Sequence, residues 1–460
     1  MWPVIKHLPA NLLSLRWVRS GLVWLLLGTF GAPVVGQPPA PVLPVGEVAV
    51  LWADLSLDVI RSSPANSPTY ASRSLAYLGI TMYESVVHSD GRYRSLAGQL
   101  SGLAQLPLPD TTQPYNWGLV LNAAQASMLY KLYPHAYRHT RARIDSLQRA
   151  VATALVATGP PDVAERSIAY GWALANALYE WSKTDGGHEG YNRSFDPDYH
   201  VPTGQSYWIA PPRGQSLVRM PLHPTWGHNR TFAPANGQLP LPPRLAYSAD
   251  SGSAYYNEHK AVYLKNAQLT PADKATAIWW ADDPSQTAAP PGHSYNLATL
   301  TINAARPDLV KAAQTYASVG IAVADAFINC WKCKYAYHCE RPSTFINEHI
   351  EKTWQPFWPE PPFPAYSSGH ATQAAAAATV LTALYGDPFA FTDVTHVGRP
   401  AEPITGLTYT ARRFGSFWQM AEECAWSRFY GGIHTELDNQ TGLAQGRKIG
   451  QQVAALHWHR

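Results

Sequence analysis

Three short clusters of charged and polar residues in the C-terminal half could do chemistry together. They read Lys334-x6-Arg341-Pro342, Ser368-Gly369-His370 and Ser427-Arg428-x5-His434-x3-Asp438. One lysine, two arginines and two histidines converging on a point suit a tetrahedral oxyanion such as phosphate or vanadate. Guanidinium forks match such oxygens in pairs, and an ammonium adds a point charge. The two histidines can then divide the labour, one bonding the central atom and the other shuttling protons.

Each cluster sits where an element should begin or end. Ser368-Gly369-His370 precedes an Ala-rich stretch and reads as a helix start, where unpaired N–H groups and the positive end of the helix dipole favour an anion. Gly369 permits close backbone approach, Ser368 offers a hydroxyl, and His370 can act as acid or base. Taken alone, the tripeptide reads more readily as an ordinary Ser N-cap beside an incidental histidine. Arg428 and His434 fall near the end of one helix and the turn after it, with Gly431-Gly432 supplying the bend. Asp438 follows His434 by one helical turn and can accept a hydrogen bond from its second ring nitrogen, fixing the tautomer. The ordered set is far more specific than any one cluster.

The rest of the chain reads as a scaffold for these positions. Ser67-Pro68 is an N-cap with proline at the first helical position, and Leu75, Leu78, Met82 and Val86 mark one face of the helix that follows. Further helices are predicted over about 119–132, through Ile144, Leu147, Val151 and Leu155, and over about 162–181. Residues 184–252 are dense in Gly, Pro and aromatics without a sustained period, which suggests a packed excursion covering the active side. Helical signals resume near Tyr255. They include a Thr270-Pro271 cap, a long helix from Asp308 to about Tyr335, a helix over 371–384, and a last pair over about 410–429 and 435–456. No alternating strands are evident. The expected fold is all-α: two helical bundles packed together, 67–183 and 253–460, joined by the 184–252 loop, with the oxyanion site in the C-terminal bundle.

Residues 1–36 read as an export signal. A basic region ends at Arg19, an apolar run follows from Leu22, and small residues close it near Gly36. The uncharged stretch from Ser20 to Gly36 is shorter than the roughly 20 apolar residues a membrane span requires. The implied destination is periplasmic or secreted, with no membrane span in the mature chain. Residues 37–66 are proline-rich and read as an N-terminal arm. The formal net charge of +3 is matched by Lys6, Arg16 and Arg19 of that leader, so the remainder is near neutral and gives no footprint for nucleic acid. Cys330, Cys333, Cys339 and Cys424 allow three pairings in an exported chain, and a Cys339–Cys424 bridge would pin the Lys334 segment to the Arg428 helix. Cys330-x2-Cys333 has no second ligand pair at zinc spacing. Nothing in the sequence sets the oligomeric state.

Over about residues 320–440 the three clusters resemble those of the vanadium-dependent haloperoxidases and the related type-2 phosphatidic acid phosphatases. The wider helical layout is similar to that of exported bacterial haloperoxidase-like proteins, iodoperoxidases among them. The resemblance implies an all-α fold with vanadate as cofactor, or phosphate in the same site. It implies that Lys334, Arg341, Ser368, Gly369 and Arg428 hold the oxygens, that His434 is the metal ligand, and that His370 is the acid–base residue. Trp331, three residues before Lys334, and Phe363, seven before His370, match aromatics that border the halide in similar haloperoxidases. Hydrogen peroxide, a halide and a small organic acceptor are the implied partners, with iodide the easiest halide to oxidise and bromide next. Phosphate in the same pocket would instead make His434 a nucleophile and His370 a leaving-group acid, as in an exported acid phosphatase. A pocket that binds an oxyanion without turnover is a third reading. Two positions depart from the pattern: Ser367 stands where proline is usual, and Lys332 places an extra cation beside Trp331.

Overall fold

A computed structural model describes residues 45–212 and 214–460. The expected leader, residues 1–36, lies outside these. The described chain holds fourteen α-helices and one two-stranded sheet.

The first element corrects the expected proline-rich arm. α1 (Val45–Ser62) is a full helix, and it buries Val48, Trp52, Leu55 and Val59 along one face. α2 (Pro68–Val86) starts where its cap predicts, with Ser67 Oγ accepting the Tyr70 N–H at 3.2 Å. It is buried on every side, and glycines make this possible. A Cβ on Gly79 would sit 2.6 Å from the Tyr316 carbonyl, and one on Gly320 would sit 2.7 Å from that of Leu75. The backbones of α2 and α10 (Leu309–Tyr337) therefore meet directly. α3 (Trp117–Leu132), α4 (Arg138–Val156) and α5 (Pro161–Ser182) complete the helices of the first half.

From α5 to α7 (Ala254–Asn266) the chain wanders, with two single helical turns and the four-residue α6 (Pro234–Gly237). Buried carboxylates pin it. Asp185 accepts from Arg73 Nε at 2.6 Å and from the Tyr77 hydroxyl at 2.9 Å. Asp325 accepts from the Phe232 and Ala233 amides and from Asn236 at 2.7, 3.0 and 2.8 Å. Burial still raises Asp325 to about 7. Nearer the site, the Leu222 carbonyl accepts from Trp331 Nε1 at 3.2 Å and from the Tyr335 hydroxyl at 2.6 Å. The aromatic residues of α10 thus fasten the loop to the helix that bears Lys334.

α8 (Pro271–Trp279), α9 (Ala289–Ala305), α11 (Pro342–His349), α12 (Gly369–Tyr385), α13 (Phe417–Tyr430) and α14 (Glu436–Ala454) build the second half. α12 lies against α14, whose Gly442, Gly446 and Gly450 come so close that a Cβ on Gly446 would stand 2.1 Å from the Thr372 carbonyl. The helix expected from about residue 410 begins only at Phe417. The residues before it form β2 (Arg412–Phe414), paired antiparallel with β1 (Phe391–Asp393). Strands of three residues are too short to show alternation in a sequence.

All four cysteines are buried free thiols, so the Cys339–Cys424 bridge does not form. Cys424 Sγ faces the His370 carbonyl at 3.8 Å, whereas Cys339 Sγ accepts from Arg244 at 3.6 Å in a separate cluster with Cys333 and Tyr366. No helix among the described residues is long and apolar enough to cross a membrane.

Candidate active site

The three clusters meet at one cavity of about 560 Å³. Gly369, His370, Arg428, His434, Trp331 and Phe363 all line it. Lys334 and Arg341 are fully buried beside it.

Lys334 projects from the last turn of α10. Its ammonium donates to the Pro364 and Ala365 carbonyls, both at 2.7 Å, and sits 5.1 Å from the Phe363 ring centre. An ammonium has three donors, so one remains for a ligand. Arg341 is the N-cap residue of α11. It donates to the Phe363 carbonyl from Nε (3.1 Å) and Nη2 (2.8 Å), and from Nη1 to the Ile433 carbonyl (2.9 Å). The same Nη1 lies 3.1 Å from His434 Nε2. Arg428, in the last turn of α13, donates from Nη1 to the Trp280 carbonyl at 3.1 Å. Its buried Nε has no protein partner, and neither does His370 Nε2.

Two contacts fix the tautomer of His434. Its Nδ1 faces Asp438 Oδ2 at 2.9 Å, and an ionised carboxylate only accepts, so Nδ1 carries the proton. Its Nε2 faces an arginine, which only donates, so Nε2 presents a lone pair. Asp438 is itself held: Thr435 and Asp438 form a capping box at the start of α14, and the Asp438 carbonyl accepts from the Ser368 amide at 3.1 Å. Gly432 makes the preceding turn with φ +76°, a left-handed backbone that glycine adopts readily. Ser368 is the N-cap of α12 and its hydroxyl accepts from the Ala371 amide at 3.5 Å, leaving the amides of the first turn directed outward.

Crowding of like charge with burial sets the electrostatics. Burial lowers Lys334 to about 8 and Arg341 to about 10, and lowers Arg428 as well. His434 is held well below the ordinary histidine range by burial, then by Arg341 and Lys334. Burial and Arg428 do the same to His370. Burial raises Asp438 to about 6. Three buried cations, a metal-ready imidazole and two orphaned nitrogens fit a multiply charged oxyanion of tetrahedral or trigonal-bipyramidal shape.

Of the aromatics, Trp331 is buried and its ring centre lies 4.9 Å from that of Phe363. Lys332 is exposed and does not line the cavity, so its charge is not an addition to the pocket. Ser367 is buried, and its carbonyl faces Cys330 Sγ at 3.4 Å. Sequence reasoning missed the segment before α9, where Ala281, Asp282 and Asp283 line the cavity and Trp280 anchors Arg428. The Trp279-Trp280-Ala-Asp282-Asp283 run is the signal that could have flagged it.

Residues 314–459 match the family described as the second helical-bundle domain of VCPO. The vanadium chloroperoxidase of Curvularia inaequalis is 26% identical over 257 residues, covering 43% of this chain. The chain spans 42% of the length of that protein. The crystal structure of a bacterial vanadium-dependent iodoperoxidase superposes with a TM-score of 0.78 at 32% identity, covering 92% of this chain and 99% of that one. The apo and holo forms of a bacterial vanadium-dependent chloroperoxidase share the fold at 15% identity, with TM-scores of 0.64 and 0.63. They cover 91% of this chain, and 95% and 93% of their own. The chain belongs to the vanadium haloperoxidase superfamily. Within it, similarity extends over nearly the whole length of the bacterial iodoperoxidase.

Proposed function

We propose that this protein is a vanadium-dependent haloperoxidase that oxidises halide with hydrogen peroxide, iodide first and bromide next, to a hypohalous acid equivalent. The observation that carries the reading is the His434 ring, held by Asp438 at Nδ1 and facing Arg341 with an unprotonated Nε2 in a three-cation pocket. Vanadate held there would supply Lewis acidity toward peroxide. Lys334, Arg341, Arg428, the Ser368 hydroxyl and the Gly369 amide would hold its oxygens, and His434 Nε2 its metal.

The protein groups then have separate tasks. His370 is kept neutral, so its free Nε2 can take a proton from the incoming peroxide. The remaining donor of Lys334 favours negative charge on the oxygen it meets. Trp331 and Phe363 form an apolar wall where a weakly hydrated halide can approach. A phosphatase using the same pocket would instead need His370 protonated to serve as leaving-group acid. Export is part of the reading, supported by the leader-like residues 1–36 and checked by N-terminal sequencing of the secreted product.

The test uses purified protein with orthovanadate, peroxide and each halide, and separately with a chromogenic phosphomonoester. Vanadate-dependent iodide oxidation is expected, and His370→Ala should abolish it while vanadate stays bound. Phosphate release without halide oxidation would replace this reading with the phosphatase. Tight oxyanion binding with neither activity would reduce the protein to a binder.

A further inference from the structure

Beside the pocket lies a buried chain of four ionisable side chains that the proposed reaction does not use. His293 Nδ1 meets Asp282 Oδ2 at 2.8 Å, and His293 Nε2 meets Asp393 Oδ2 at 2.8 Å. Carboxylate oxygens only accept, so both ring nitrogens carry protons and His293 is an imidazolium between two carboxylates. The second oxygen of Asp282 accepts from His396 Nε2 at 2.9 Å. Asp393 also accepts from Trp279 Nε1 at 3.1 Å and from the Thr395 amide at 2.9 Å. All four residues are almost fully buried. Ligand atoms of Asp282, His293 and His396 lie within 4.8 Å of one another, a spacing that a cation could use. Both nitrogens of His293 are already engaged, however, so the arrangement is an ion-paired hydrogen-bond chain rather than a ligand set.

This chain grips the segment 279–283 at several points. Trp280 stacks on His293, with ring centres 4.4 Å apart and planes 16° apart. The Trp280 indole donates to Glu423 Oε1 at 3.0 Å, on the same helix as Arg428. The Trp280 carbonyl accepts from Arg428 Nη1 at 3.1 Å. Asp282 has a left-handed backbone, φ +50°, which a non-glycine residue keeps only when its surroundings impose it. Asp282 also lines both the main cavity and a second one of about 290 Å³ bordered by His293 and His396.

We propose that Asp393, His293, Asp282 and His396 form a positioning network for the oxyanion pocket. It locks the 279–283 segment so that the Trp280 carbonyl aims Arg428 at the bound anion. The four are positioning residues, acting through Trp280 and Arg428. The proposal rests on the oxyanion-pocket reading of the site.

The experiment measures orthovanadate and phosphate affinity by calorimetry, and kcat and KM for peroxide and iodide, on the full chain. The variants are His293→Gln, Asp393→Asn and, as a control for the loss of a buried carboxylate elsewhere, Glu84→Gln. Glu84 is buried in α2 and accepts from the Leu96 amide at 2.7 Å. His293→Gln is expected to weaken both anions by about tenfold, the scale of lost support behind a metal-site residue. Asp393→Asn should give a smaller loss in the same direction, and Glu84→Gln none. If His293→Gln does not fold, Asp393→Asn decides. Lower melting temperatures with unchanged anion affinity and unchanged kcat would overturn the proposal, because that is a merely structural role. Failure of the unmodified protein to bind either anion would instead sink the pocket reading itself.

Discussion

Lys334 gives the sharpest test of the pocket's electrostatics. Burial lowers it from 10.5 to about 8, and an anion binds the ammonium rather than the amine. Affinity is therefore full below the folded-state value and falls as pH rises through it. If only the charged form is competent, the apparent dissociation constant scales inversely with the charged fraction, so binding at pH 9 should be roughly tenfold weaker than at pH 7. Sulfate is the probe of choice, because its own charge is constant across that range. The following neighbours lie outside that range. His370 and His434 are held well below the ordinary histidine range, burial raises Asp438 only to about 6 and lowers Arg341 only to about 10, and burial raises the neighbouring Cys330 thiol. Lys334→Met should bind sulfate more weakly at pH 7 by about 1.5–3 kcal/mol, the value of one charge-assisted hydrogen bond, and should show no decline toward pH 9. Calorimetric titration at several pH values reads both effects. A flat profile in the unmodified protein, or the same slope in Lys334→Met, would refute the reasoning.

Other consequences are measurable too. Asp438→Asn removes the charge that orients His434, and vanadate retention on dialysis should fall by about 10- to 100-fold. Gly446→Ala forces a methyl against the Thr372 carbonyl and should cost about 1–3 kcal/mol by denaturant unfolding. Gly91→Ala, where a Cβ meets nothing within 4 Å, should change stability by less than about 0.5 kcal/mol. A thiol reagent should leave the folded protein unlabelled and modify four cysteines after unfolding; fewer than four would show a bridge.

The site was legible because its chemistry is local. Lys334, Ser368, Gly369, His370, Arg428, His434 and Asp438 stand at helix ends and turns, where sequence punctuation is strongest. Asp438 was readable because one helical turn separates it from His434. Long helices such as α10 and α14 were legible as helical stretches, and the structure caps them with Asp308 and Thr435. α1 was masked by the prolines before it, although Val48, Trp52, Leu55 and Val59 recur at helical spacing. The small sheet offers only three residues per strand. The His293 network could not be read at all, because its hydrogen-bonded pairs are 11 to 114 residues apart and are joined only by the fold. Backbone carbonyls such as those of Trp280, Phe363 and Ile433, which orient the arginines, are likewise invisible in a string of side chains.

The Ser368 amide rests on the Asp438 carbonyl, and the Asp438 side chain steadies His434, so the anion cradle is closed by α14. A nascent polypeptide lacking that helix has cationic segments but no assembled receptor for them. Anion capture is therefore expected only once α14 is in place, and a product truncated ahead of it should bind sulfate no better than the unfolded chain.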